Sequence, residues 1–240
     1  MRNKTMQRII SLKWWFLLTT CLMLPALACE PSQEYERAVL TGDNLSGLDF
    51  SFHNFSNFDF SGKNLQNVDF SYAQLDGANF SEADLTGAIL DYADLAEANF
   101  TDAILDEKWA LIIDLLTTSN GAGRDLQGYD LSRTRLWAAD LSNANLQNAN
   151  LLGATLSFTN LSNANLSGAN LQEANFEGAH LLNTNFSNAN LKDADFSTTD
   201  LTSAIVTPQQ LRTAEFLCTR MPDGTIRNKK SYCMPPTPLP

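Results

Sequence analysis

The chain has 240 residues, is 44% hydrophobic and carries a formal net charge of −11 at pH 7. This acidic balance disfavours nucleic acid and anionic lipid as partners, since both repel a negatively charged surface. The two histidines and four cysteines are not grouped at metal-ligand spacing, and we expect no metal and no cofactor.

The first 28 residues have the pattern of a secretory signal peptide. Four basic residues and no acid come first: Arg2, Lys4, Arg8 and Lys13. An apolar run over 14–27 follows, and residues 26–28 read Ala-Leu-Ala, an A-x-A cleavage site. The run is short for a membrane span and is interrupted by Pro25, although an uncleaved anchor is the alternative. Cleavage would remove the four basic residues and lower the formal net charge from −11 to −15.

Residues 29–41 form a polar lead-in that begins with Cys29. A cysteine directly after the cleavage site is where lipoproteins carry their lipid, but Ala26 stands where that signal prefers a larger aliphatic residue. Cys29 is therefore either a lipidated N-terminus, which would tether the protein to a membrane, or an odd exported thiol.

Leu or Phe occupies every fifth position of the segment 42–105, in a series that runs unbroken from Leu45 to Leu105. Alanine usually stands two residues before this large residue, and Asn or Asp stands one residue before it. Neither a helix, with 3.6 residues per turn, nor a strand, with its period of two, produces this spacing. A strict short repeat predicts a solenoid in which one large and one small side chain per unit point inward, while Gly or Asn relieves the turn.

The unit A-[D/N]-L-x-x resembles that of the pentapeptide repeat family. The resemblance implies an all-β solenoid, a right-handed quadrilateral β-helix of about seven to eight coils with residues twenty apart stacked. An aromatic stack is then expected from Phe60, Phe80 and Phe100. Two amide ladders are expected as well: Asn145, Asn165 and Asn185, and Asn150, Asn170 and Asn190. The first units lack the alanine, and we expect them to form a distorted cap.

Residues 106–123 interrupt the series with an insert. Its first part, 108–116, has the pattern of a short amphipathic helix, and its second part is a Gly- and Asn-containing connector. Leu105 and Leu126, on either side, are 21 positions apart, so the repeat shifts phase by one residue. Either the helix bulges from one continuous column or the insert is a hinge between two columns, and its shortness favours the bulge. The insert resembles one seen in cyanobacterial members of the family.

The repeat resumes over 124–206, and residues 207–234 are expected to close the column with a helix over 209–216. Cys218 and Cys233 bracket a turn sequence and are expected to form a disulfide in an exported protein. A metal pair is the alternative, although it lacks further ligands nearby. This segment resembles the C-terminal cap of exported cyanobacterial and thylakoid-lumen members. The tail, 235–240, is expected to be disordered.

Six aromatic residues are candidates for an interaction surface: Phe52, Tyr72, Tyr92, Trp109, Trp137 and Phe158. The first three each follow a large residue by two positions and lie twenty apart, so they are expected to align as a stripe on the wall of the column. Either the inserted helix covers this stripe with Trp109, or the stripe binds a partner.

The sequence contains no nucleophile elbow and no phosphate loop, and a column filled with Leu, Phe and Ala leaves no concave site. We therefore expect a protein that is not an enzyme, has no small-molecule substrate and serves as an exported scaffold for an unknown protein partner. The resemblance implies the periplasm or the thylakoid lumen. Two alternatives stay open: a DNA-mimicking topoisomerase-binding protein, as some family members are towards gyrase, and a lipid-tethered structural protein of the envelope.

Overall fold

The computed structural model describes residues 42–117 and 121–227. The predicted signal peptide, Cys29 with its lead-in, Cys233 and the C-terminal tail lie outside these residues and stay predictions. The chain divides into two units, Met1–Asp43 and Asn44–Pro240, and the repeats belong to the second. Within the described ranges, no helix has the length and apolar character needed to cross a bilayer.

Backbone pairing confirms that each coil takes twenty residues. The residue before a large apolar residue forms a parallel bridge with the residue twenty positions on, as Asn44 does with Asn64. A turn in each five-residue unit redirects the chain, and in one of them Ala73 N donates to Phe70 O at 3.0 Å. The third residue of these turns has a positive φ, for example 60° at Asn57. A type II turn requires that conformation, and this explains why Gly and Asn recur there.

The large residues fill the interior of the column. Phe60, Phe80 and Phe100 stack as predicted, with ring centroids 5.0 Å apart at both steps. The alanine position faces inward between coils and tolerates threonine where the hydroxyl finds a partner. Thr159, for example, is fully buried and its Oγ1 donates to Leu136 O at 2.7 Å. A satisfied hydroxyl of this kind is compatible with burial.

Asn recurs before the large residue because its side chain serves two hydrogen bonds. Asn150 Oδ1 accepts from Leu152 N at 3.3 Å within its own turn, and it also accepts from Asn170 Nδ2 at 3.0 Å in the next coil. Asn190 continues the series by donating to Asn170 Oδ1 at 3.0 Å. The second predicted ladder is present as well, at Asn145, Asn165 and Asn185. The amide ladders predicted from the sequence are therefore confirmed.

The first coil is regular, and the expectation of a distorted cap is wrong. Asn44, Asp49, Asn54 and Asp59 all form parallel bridges with the second coil. The larger residues at the alanine position, among them Leu48 and Phe58, are half-buried there. Because no described coil packs beneath this one, a side chain bulkier than alanine fits without disturbing the backbone.

The insert contains helix α1, Glu107–Thr117. Its apolar side is buried, with Trp109, Ile112 and Leu115 at 5%, 1% and 2% exposure. Along the wall that carries Tyr92 the two repeat blocks join directly, since Tyr92 N donates to Arg133 O at 2.8 Å. That partner lies 41 positions on, whereas Phe52 N donates to Ser71 O, 19 positions on. The direct contact supports a bulge from one column over a hinge between two.

The column continues beyond Val206, where the sequence predicted a closing helix. Leu211, Phe216 and Met221 keep the five-residue spacing and are buried, and the Phe216 ring stacks 6.3 Å from that of Phe196. Only a 3-10 helix, Gln210–Arg212, forms within the predicted helix. Gln210 Nε2 ties it to the column by donating to Phe186 O at 2.6 Å. The prediction of a helix over 209–216 is wrong, because the five-residue spacing of buried side chains continues through this segment and outweighs the local cap signal of Thr207 and Pro208.

A short antiparallel hairpin follows, with β1 at Thr219–Arg220 and β2 at Ile226–Arg227. Cys218 lies just before β1. None of the other cysteines lies among the described residues, so its pairing with Cys233 stays a prediction.

Candidate interaction surface

Three rings of the first block form a continuous stack on one corner of the column, which we call the aromatic ladder: Phe52, Tyr72 and Tyr92. The ring centroids are 4.8 Å apart at the first step and 4.7 Å at the second, and the ring planes differ by 5° and 17°. Phe52 is 75% exposed and Tyr72 is 47% exposed. The alignment predicted from the spacing is therefore present, and two of its three rings face solvent.

The ladder residues occupy backbone positions that do not suit them. Their φ angles are 62°, 60° and 58°, in the left-handed region where an L-residue other than Gly costs about 1–2 kcal/mol. The equivalent turn positions elsewhere hold Gly or Asn most often, as at Gly77 and Asn57, and in some units another residue such as Glu82. Two ring stacks return only about 0.5–1.5 kcal/mol each. Stability of the turns therefore does not account for three aromatic residues here.

Helix α1 does not remove the ladder from solvent, because Phe52 and Tyr72 stay exposed. Its Trp109 is instead buried, and Lys108 Nζ lies 4.9 Å from the Trp109 ring centroid. Trp109 is thus not available as a surface contact, in contrast to its place among the candidate residues. Tyr92 is partly covered by the second block, where its hydroxyl lies over Gly153. This burial is the main reason why the pKa of Tyr92 is raised.

A second exposed aromatic group, the Trp137–Phe158 pair, lies on the second block. Trp137 is 62% exposed and Phe158 is 53% exposed, with ring centroids 6.1 Å apart in an edge-on arrangement. Phe158 also has a positive φ, 59°. Its ring rests above Gly178, where a Cβ would lie 2.7 Å from Phe158 Cε1. Phe158 therefore repeats both properties of the ladder, exposure and a positive-φ turn position, while Trp137 shares only the exposure.

Charged side chains link the two blocks near Tyr92. Lys108 Nζ lies 3.7 Å from Asp91 Oδ1 and donates to Ser132 O at 2.9 Å, while Arg135 Nη1 lies 3.2 Å from Asp94 Oδ2. Arg133 also approaches Asp91, at 3.5 Å. Sequence reasoning missed these pairs, although the phase shift of the repeat does place Arg135 41 positions after Asp94. Each pair is partly solvated, so its contribution is modest.

The acidic residues of the walls are engaged in the turns. Asp84 Oδ1 accepts from Thr86 Oγ1 at 2.6 Å, and this bond is the first of several that lower the pKa of Asp84. His53 Nδ1 lies 2.7 Å from Ser51 O. Among the described residues, no group of three or more His, Cys, Asp and Glu is placed to hold a metal ion. The groups that the walls expose are aromatic rings and charged side chains, which can form contact surfaces.

Comparison with family models matches the description "Pentapeptide repeats", in eight copies over residues 44–81, 64–102, 130–168 and 169–207. These ranges include more than half of the chain and leave out the insert. The match confirms the family predicted from the repeat unit, and with it a right-handed β-helix. A search of curated proteins found no match.

Solved structures of other repeat proteins resemble the chain. HetL, a pentapeptide repeat protein involved in heterocyst differentiation regulation in the cyanobacterium Nostoc, is 27% identical over 77% of this chain and 91% of its own, with a TM-score of 0.35. A pentapeptide repeat protein of the Arabidopsis thaliana thylakoid lumen is 27% identical over 71% and 74%, with a TM-score of 0.20. QnrB1, a plasmid-mediated fluoroquinolone resistance protein, is 22% identical over 74% and 91%, with a TM-score of 0.25. At these TM-scores, none of the superpositions carries a functional argument.

Proposed function

Since the chain belongs to the pentapeptide repeat family, we propose that it is an exported, non-enzymatic scaffold that binds another protein. The contacts are made by the aromatic ladder and the Trp137–Phe158 pair. One observation carries the proposal: large aromatic rings are exposed at two places on the walls, and three of them, Phe52, Tyr72 and Phe158, have a positive φ. Strain of this kind persists where another role requires the side chain.

The column suits a scaffold because its interior is filled and its walls are repetitive. Residues such as Leu131, Leu151 and Leu171 are fully buried, and successive coils are joined by backbone and amide hydrogen bonds. A solenoid of this type holds surface groups at fixed spacing along its length. Two aromatic groups on such a support present a preformed surface, which reduces the ordering cost of binding.

Export rests on the N-terminal sequence, with the periplasm or the thylakoid lumen as the destination. The test is mass spectrometry of the protein recovered from the producing cell. We expect a chain that begins at Cys29, and a diacylglyceryl mass on that residue would add a membrane tether to the proposal. A chain that keeps residues 1–28 and stays in the cytoplasm would contradict export.

The binding role is tested by quantitative affinity capture of partners from the exported fraction. Three variants of the full chain are compared with wild type: Tyr72→Asn, Phe158→Asn and the control Leu182→Ser. Asn accommodates the positive φ at residues 72 and 158, and Leu182 is an exposed apolar side chain, at 56%, outside both aromatic groups. We expect a partner that is retained by wild type and Leu182→Ser and lost with either aromatic variant.

Two outcomes would overturn the scaffold role. A partner retained equally by every variant would show that the aromatic groups do not carry binding. Inhibition of gyrase supercoiling by the purified protein at stoichiometric concentration would instead support a DNA mimic. Activity of that kind depends on the acidic surface and would survive Tyr72→Asn.

A further inference from the structure

In the aromatic ladder, stacking covers the ring faces and leaves the ring edges exposed. Because successive centroids are 4.7–4.8 Å apart and the planes nearly parallel, each inner ring face is covered by the next ring. Phe52 and Tyr72 nevertheless stay 75% and 47% exposed, so their ring edges form a row along the corner. Such a row offers apolar contact along the length of an extended chain.

The block that carries the ladder is strongly acidic. Residues 42–105 contain eleven Asp and Glu and a single basic residue, Lys63. Asp49 and Asp69 stand on the wall directly before the ladder corner, where their backbones form a parallel bridge across the coils. Asp94 stands on the wall directly after the corner and is paired with Arg135. Asp49 is held ionised because the Ser51 hydroxyl, 2.6 Å away, lowers its pKa. Two carboxylates that form no ion pair with a basic side chain among the described residues, those of Asp49 and Asp69, therefore lie beside the rings.

We propose that the ladder binds an arginine- or lysine-rich segment of another protein, laid along the corner. The aliphatic stem of such a side chain packs on apolar surface while its charged head reaches outward, here from the ring edges to Asp49 and Asp69. This assignment rests on the proposed function, and it specifies the partner's chemistry at one of the two aromatic groups.

Charge decides against the other occupants. A second copy of this chain would bring an equally acidic block against the first, and like charges in contact are costly. A nucleic acid or an anionic membrane would be repelled in the same way. A purely apolar partner would leave the flanking carboxylates facing uncharged groups, which costs desolvation without return. A basic segment is the occupant that satisfies both the rings and the carboxylates.

The experiment titrates the full chain with a fluorescent peptide of alternating Arg and Leu, at low and high salt. Its controls are the same peptide with Glu in place of Arg and the same peptide with Ser in place of Leu. We expect binding of the Arg–Leu peptide that weakens as salt is raised, and clearly weaker binding of both control peptides. Phe52→Asn combined with Tyr72→Asn should weaken the Arg–Leu peptide about tenfold.

Matched variants separate the rings from the charges. Tyr72→Phe keeps the stack and should keep the affinity, whereas Asp49→Asn combined with Asp69→Asn should weaken binding and flatten its salt dependence. Leu182→Ser, an exposed apolar residue outside both aromatic groups, should bind as wild type does. Circular dichroism and thermal unfolding confirm that each variant is folded.

Several results would overturn the proposal. One is equal affinity of wild type and the ladder double variant, and another is equal binding of the Glu and Arg peptides. Self-association in ultracentrifugation that is lost with the ladder variant would identify a second copy as the occupant. These failures can be told apart from failure of the proposed function. If the peptide does not bind the ladder but a natural partner is still captured through Phe158, the scaffold role stands and only the assignment of a basic segment to the ladder is contradicted.

Discussion

Asn150 Nδ2 donates to Asp130 Oδ1 at 2.9 Å, so the ladder of Asn150, Asn170 and Asn190 begins on a carboxylate. Asp125 and Asp59 begin other ladders in the same way, accepting from Asn145 and Asn79. In each step the amide N–H₂ points towards the N-terminal coil, so the amide dipoles are aligned. A negative charge at the end to which the donors point stabilises such a series, as an anion does at a helix N-terminus.

This arrangement predicts a loss of stability in acid. Burial by itself raises the pKa of Asp130. The hydrogen bonds from Ser132, the charge of Lys108 and the hydrogen bond from Asn150 together lower it by more than burial raises it, so the pKa lies below its usual value. A carboxyl whose pKa is lower in the folded state stabilises the fold above its unfolded pKa, and the contribution is lost as the pH falls through the folded pKa. We expect the free energy of unfolding to be level near neutral pH and to fall below about pH 4.

Urea unfolding across this pH range checks the expectation. Asp130→Asn keeps an oxygen acceptor for Asn150 but loses the charge, so its stability should depend less on pH than that of wild type. Glu97→Gln, an exposed carboxylate outside the ladders, is the control. An unchanged pH dependence in Asp130→Asn would show that the ladder carboxylate is not responsible.

Two leucines test the column interior. Leu166 is fully buried and Leu182 is 56% exposed. Leu166→Ala should lower the free energy of unfolding by about 2–5 kcal/mol because it leaves a cavity, whereas Leu182→Ala should change it by at most about 0.5 kcal/mol. Chemical denaturation of both variants measures the difference. Similar values would contradict a packed interior.

Ala149→Leu tests the small position of the repeat. Ala149 is fully buried, and the added methyl groups would force neighbouring coils apart, so we expect a loss of about 1–3 kcal/mol. Denaturation midpoints of this variant and of wild type provide the measurement. A neutral or stabilising result would mean that the column has free space at this level.

Gly121, near the end of the insert, stands five residues before Leu126, at a position that the repeat otherwise gives to a large residue. A Cβ there would lie 2.8 Å from Leu141 Cδ2 and closer still to the carbonyl oxygen of Asp140, which is fixed by the coil. Gly121→Ala should therefore cost about 1–3 kcal/mol. Gly42→Ala, where no atom lies within 4 Å of the added Cβ, is the matched control and should be neutral or slightly stabilising.

Two tryptophans test the docking of α1. Trp109 is 5% exposed and Trp137 is 62% exposed. Trp109→Ala should destabilise the protein by about 3–5 kcal/mol, and Trp137→Ala by no more than about 0.5 kcal/mol. Thermal unfolding and tryptophan fluorescence would follow both. If Trp109→Ala unfolds like wild type, the helix does not contribute to the column.

The spacing of large residues predicted most of the architecture. One Leu or Phe in every five fixes which side chains point inward, and stacking twenty apart then aligns Asn150 with Asn170 and Phe52 with Tyr72. These relations are local or follow from the repeat alone, which is why they could be derived without a structure. The same spacing extends to Leu211, Phe216 and Met221, which are buried although the local capping signal at Thr207 favours a helix.

The sequence by itself determined the column, its stacks and the positions of the aromatic rings. Only the tertiary structure decided which rings face solvent: α1 buries Trp109 and leaves Phe52 and Tyr72 exposed. It also brought Arg133 and Arg135 to Asp91 and Asp94, and placed Gly121 against the Asp140 backbone. The physical reason is that a repeat specifies contacts between neighbouring coils, while an insert outside the repeat docks wherever its apolar side is best covered, and no period in the sequence records that place.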